Sequence, residues 1–184
     1  MTRPAAAQFK RGKSREGGDP YDALVLLAAT HKAVAAMLRD YARRRKTAST
    51  ADKGKRALRL CHLLAIHGAI KREIFYPAAQ RVLDGKAGDV LAAARVEQAT
   101  IEGLIDRVES MSARDELFDW TVKALGEHAS RQFALEEKEL FSQLRRTKFD
   151  VHGLGEQMAS RQLELSTKPP DRGVFREGKR VMRG

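Results

Sequence analysis

Apolar side chains recur along this chain at steps of three and four, and no stretch alternates apolar and polar residues at period two between turn residues. Leu24, Leu27, His31, Val34 and Leu38 mark a first helix. Its start is expected at Gly17-Gly18-Asp19-Pro20, with Asp19 as cap and Pro20 in the first turn, and it runs out in the basic stretch from Arg43 to Lys46. Ser49 and Asp52 have capping-box spacing and open a second helix, in which Leu60, Leu64, His67, Lys71, Ile74 and Ala78 share one face; Pro77 should kink or stop it. The segment from Asp84 to Asp89 breaks the pattern before a third helix carrying Leu91, Ala94, Gln98, Ile101, Ile105 and Val108. Ser112 and Asp115 have the same capping spacing and open a fourth. Its inner stripe reads Phe118, Val122, Leu125, Ala129, Gln132, Glu136 and Gln143, with Phe133, Glu137, Leu140 and Leu144 beside it. A shorter fifth helix is expected over residues 153–165. The pattern predicts an all-α protein, an antiparallel up-down four-helix bundle with a short C-terminal extra helix.

Composition narrows this picture. At 184 residues the chain has room for one domain with a full core. The net charge of +11 is uneven: residues 1–19 carry +3 and residues 166–184 carry +4, leaving +4 for the 146 residues between. The two ends, rich in Gly and Pro, lack apolar periodicity and read as disordered basic segments flanking a bundle at residues 20–165. Their charge allows weak polyanion or nucleic-acid binding, with no aromatic interleaving or reading motif to make it specific. The longest apolar run, residues 23–29, is far short of the roughly 20 residues of a membrane span. A single cysteine, Cys61, excludes an internal disulfide, and a cytoplasmic location is expected. No phosphate-cradling loop, cysteine pair or nucleophile elbow suggests an enzyme.

Candidate chemistry lies in the polar residues that periodicity turns inward. These are His31 on the first helix, His67 and Lys71 on the second, Gln98 and Glu102 on the third, and Gln132 with Glu136 or Glu137 on the fourth. Taken singly, each is more simply a hydrogen-bonded core residue or part of a solvated face. Contributions from all four helices are how bundles build metal sites.

Three segments then carry a resemblance. Residues 22–27 with Thr30-His31, the segment from His67 to Pro77 ending Glu73-Ile74-Phe75-Tyr76-Pro77, and residues 136–141 resemble the hemerythrin-like HHE cation-binding domain, in order and spacing, over about residues 20–146. Residues 149–155 are similar to an extension of its bacterial members. The resemblance implies a four-helix bundle whose relatives hold a non-haem di-iron centre and bind or sense oxygen, other small oxidants or iron. Carried over position by position, His31 and His67 match ligand histidines and Glu137 a ligand carboxylate, while Glu102 sits where some relatives keep a further ligand. The bridging glutamate is replaced by Lys71, and two ligand histidines by Gln98 and Gln132. His128, one turn before Gln132, would serve only in a displaced site.

Two readings follow from that mixture. In the favoured one the di-iron centre is degenerate, no cofactor is bound, and Lys71 takes the cation's place by neutralising Glu137 and Glu102. The protein is then a non-enzymatic regulatory or interaction module for a protein partner the sequence does not name. In the alternative, His31, His67, Glu102 and Glu137 hold one iron or other divalent cation, and Lys71 swings outward on its long stem.

Overall fold

The structure, a computed structural model, describes residues 21–167. The readings made for the 1–19 leader and for the tail beyond Thr167 lie outside them. Among the described residues every regular element is helical: α1 (Ala23–Arg44), α2 (Thr50–Ile70), α3 (Gly85–Ser110), α4 (Phe118–Leu135) and α5 (Val151–Thr167). No helix among them is long and apolar enough to cross a membrane. Two of the helices do not end where their α-helical turns end. α2 continues through a π-helical turn, Lys71–Phe75, into Tyr76–Gln80, and α4 through a second, Glu136–Leu140, into Phe141–Leu144.

The helix starts sharpen the sequence reading. α1 begins at Ala23, with Asp22 rather than Asp19 as its cap; the Asp22 carboxylate accepts from the Leu24 and Val25 amides at 2.8 and 3.2 Å. Ser49 caps α2 as expected, accepting from the Asp52 amide at 3.2 Å. The stretch from Asp84 to Asp89 is interrupted only at its start, because Gly85 takes a φ of +47° that suits glycine and helix follows at once. The turn at Ser112 and Asp115 is used for a loop, and α4 starts three residues after Asp115.

Packing follows from how the apolar residues sort. One cluster gathers Leu24 and Leu27 of α1, Ile70 and Phe75 of the second helix, Leu91 and Ala94 of α3, and Leu140 and Leu144 of the fourth. The other gathers Val34, Leu60, Leu64, Ile101, Ile105, Leu125 and Phe133. In chain order the first and third helices run from the first cluster to the second, and the second and fourth run back. That alternation is the up-down bundle. α5 closes the first cluster's end with Leu154 and Met158, and Gly155 lies so close to the Tyr21 carbonyl that a Cβ there would fall 1.7 Å from it. Between the two clusters, at one level on all four helices, lie the polar residues His31, His67, Lys71, Gln98, Gln132 and Glu136, each buried.

Candidate metal centre

Both π turns begin in this layer. In each, an amide reaches back five residues: Tyr76 donates to the Lys71 carbonyl and Phe141 to that of Glu136. The extra residue per turn moves the inner stripe on by one. Phe75 and Ala79 are buried where Ile74 and Ala78 were expected, and Gln143 lies on the surface while Leu144 is buried. Pro77 therefore neither stops nor breaks the helix. It sits in the turn following a π segment that has already loosened the hydrogen-bond ladder.

The first residues of the two π turns face each other as an ion pair. Lys71 and Glu136 are both fully buried, and Lys71 Nζ donates to Glu136 Oε1 at 3.0 Å and to Gln132 Oε1 at 2.8 Å. Tyr76 Oη donates to the same Glu136 oxygen at 2.7 Å. Gln132 Nε2 donates to the Ala94 carbonyl at 2.9 Å and reaches Tyr76 Oη at 3.2 Å and Gln98 Oε1 at 3.4 Å. Gln98 Nε2 donates in turn to Glu102 Oε1 at 3.2 Å. Gly68 makes room for that amide, since a Cβ there would lie 2.3 Å from Gln98 Nε2. Burial pushes the Lys71 pKa down, and the Glu136 charge opposes it. Burial pushes Glu136 up, but the groups around it, the Lys71 charge first, outweigh it and hold its carboxyl below the usual range. This side of the layer is hydrogen-bonded throughout.

The other side is not. His31 Nε2, His67 Nε2 and Glu136 Oε2 are buried and have no hydrogen-bond partner. The ligand atoms of these three residues lie within 4.8 Å of one another. His31 Nε2 and Glu136 Oε2 are 3.3 Å apart. His31 Nδ1 is 2.7 Å from Glu137 Oε1, and the tautomer that donates to that carboxylate carries its lone pair on Nε2. Burial first, then the Lys71 ammonium and His31, hold the His67 pKa far below the ordinary imidazole value, so its ring is neutral. Phe133 stacks on His31 at 3.9 Å between ring centroids and meets His67 edge-on at 5.5 Å, fixing both rings. Orphaned buried lone pairs each cost about 1–3 kcal/mol. Three that converge are what a bound cation relieves, and two imidazoles with one carboxylate suit a transition metal with coordination positions to spare.

The family model for the hemerythrin HHE cation binding domain matches residues 22–144, the whole of this layer included. The chain belongs to the hemerythrin HHE family. Among solved structures, it is similar to a hemerythrin HHE cation binding domain-containing protein of Mycobacterium kansasii. The two are 17% identical with a TM-score of 0.57, over 74% of this chain and 85% of that one. That likeness is one of fold. A comparison with curated proteins returns no match.

Within the HHE fold the expected residues divide. His31, His67, Lys71, Gln98 and Gln132 are all in the layer. Lys71 is turned inward, not outward, and its carboxylate partner is Glu136 rather than Glu137 or Glu102, because the π turn puts its first residue in the core and the next at the surface. Glu137 lies one atom shell further out, 46% exposed, behind the His31 ring. Glu102 is at the rim, where Arg72 donates to it at 2.5 Å. His128 faces elsewhere, 2.7 Å from Glu97, with Arg131 beside both. The carboxylate buried in the layer is thus Glu136, which the stripe at Gln132 and Glu136 already offered. The role of Tyr76 was readable only as part of the Phe75-Tyr76-Pro77 string.

Proposed function

We propose that this HHE protein carries half of a two-metal centre: a single divalent cation held by His31, His67 and Glu136, with the Lys71 ammonium standing where a second cation would be. The observation that carries this reading is the convergence of three unpartnered buried ligand atoms beside a network in which each polar atom has a partner. The favoured and alternative expectations from the sequence become two halves of one arrangement. In this reading Lys71 replaces one cation, and a reduced histidine site lies next to it. Glu136 joins the halves, one oxygen on Lys71 and Tyr76 and the other facing the two imidazoles.

Each protein group has a definite part in such a site. Glu137 fixes the His31 tautomer from outside, as carboxylates behind ligand histidines do. Phe133 keeps the rings from turning and keeps water out. Lys71 and the glutamine amides supply positive charge and hydrogen bonds but no soft donor, which excludes a second cation from their side. When bound, a cation here supplies a Lewis-acidic centre with open positions for a small ligand. The role that fits is a non-enzymatic regulatory or interaction module whose occupancy, by iron or another divalent cation, is the signal.

The reading is tested by thermal melting of chelator-treated protein with and without a divalent cation such as Co²⁺ or Zn²⁺. Binding at about 100 times Kd raises stability by about 2.7 kcal/mol by mass action. The rise is expected in the parent and absent in His67→Ala. A parent indifferent to every cation tried contradicts the proposal.

A further inference from the structure

The half-centre is sealed from water, so a cation must cross a wall to reach it, and the walls differ. Toward Gln98 and Glu102 the way is lined by cations: Lys71 in the core and the Arg72 guanidinium on the rim carboxylate. On the opposite side a surface pocket of ≈ 370 Å³ lies between the first turns of α1 and the end of the fourth helix. Val25, Ala28 and Phe141 form its apolar walls, and Glu137, Ser142 and Arg145 its polar ones. Arg145 is held at 3.0 Å by Asp22, so its guanidinium is already paired. Its inner wall is the site itself: Glu137 Oε1 touches His31 Nδ1 at 2.7 Å, and the Phe141 ring lies nearly parallel to that of His31 at 6.1 Å. One imidazole therefore separates the pocket from Glu136 Oε2.

We infer that the pocket between α1 and the fourth helix is the route by which a cation enters and leaves the half-centre, and that Glu137 at its mouth is the first ligand. The inference rests on the half-centre proposed above. Glu137 is half in water and half against the ring, so its carboxylate can hold a cation at the mouth, and the His31 ring, packed on Phe133, is the gate the cation must then pass. Arg145 at the mouth is drawn off by Asp22, which leaves the Glu137 carboxylate free to attract a cation there, while on the other side Arg72 already occupies the rim carboxylate Glu102. Positioned so, Glu137 sets the rate of exchange as well as the tautomer of His31.

Ala28 allows the two roles to be separated, because it lines the pocket and is not one of the donor residues. Cobalt(II) uptake, followed by its visible absorption in a stopped-flow instrument, and release to a chelator are measured for the parent, Ala28→Phe, Glu137→Gln and Arg72→Ala. A plug in the route raises the barrier in both directions. Ala28→Phe should slow uptake and release alike by about tenfold or more and leave Kd within about a factor of two. Val25→Phe, which narrows the same pocket from its other wall, serves as a second plug should Ala28→Phe fail to fold. Glu137→Gln should slow uptake by a similar factor, and Arg72→Ala should leave it unchanged. Plugged variants that exchange cobalt at the parent's rate, or an Arg72→Ala protein that takes it up several-fold faster, overturn the route while leaving the half-centre standing. A parent that binds no cobalt at all overturns the half-centre, and the route with it.

Discussion

The two halves of the buried layer are built from the same four helices and share one carboxylate, yet they solve opposite problems. On the Lys71 side an ammonium, two amides and a phenol satisfy one another, so that half is complete as a protein. On the histidine side two imidazole nitrogens and a carboxylate oxygen face each other unpartnered. In the reading proposed above, the lysine supplies one cation's charge permanently and leaves the other half of the site to be filled from solution.

The largest effect should come from breaking the complete half. Lys71→Ala leaves Glu136 charged and fully buried without its partner, which typically costs about 3–5 kcal/mol. Urea unfolding of the metal-free protein checks this. A loss below about 1 kcal/mol would mean that the pair is not what holds the layer together. Restoring the family's ligands with Lys71→Glu, Gln98→His and Gln132→His together should add a second bound cation per chain, counted by elemental analysis. In metal-free form that triple variant should be less stable than the parent.

A smaller loss should follow from crowding the same half. Gly68→Ala brings a methyl to within 2.3 Å of Gln98 Nε2, and overpacking of this kind costs about 1–3 kcal/mol. Melting temperature reads the loss, and cobalt affinity at the histidine half should change little. Weakened cobalt binding would show that the halves are mechanically coupled.

How far the sequence foretold this comparison depended on periodicity. His31, His67, Gln98 and Gln132 sit on uninterrupted α-helix, and their inward direction followed from steps of three and four. The choice between Glu136 and Glu137 was not legible. α-Helical spacing from Gln132 pointed to Glu136 and the family resemblance to Glu137, and the π turn that begins at Glu136 leaves no residue-type signature to decide between them. The same extra residue buried Phe75 in place of Ile74. Capping motifs were mixed guides: Ser49 capped its helix, whereas Asp22 was hidden behind the more conspicuous Asp19-Pro20.

The mildest prediction concerns acid. His67 has a folded pKa far below its unfolded value near 6.5, so as pH falls below about 6.5 the unfolded chain takes up a proton that the folded chain refuses. Its contribution to stability is therefore complete at pH 7 and shrinks by up to about 1.4 kcal/mol per pH unit on the acid side. In chelator-treated protein the loss between pH 7 and pH 5.5 should be reduced in His67→Gln. An unchanged acid slope in that variant would mean that the imidazole titrates normally in the fold.

The central claim is a number of cations per chain. Protein stripped with chelator, re-equilibrated with excess Co²⁺ or Zn²⁺ and freed of unbound metal should retain one cation per chain, and His31→Ala and His67→Ala should retain far less. Two per chain in the parent would contradict the assignment of Lys71 to the second position, and none, or one that survives both substitutions, would contradict the histidine half.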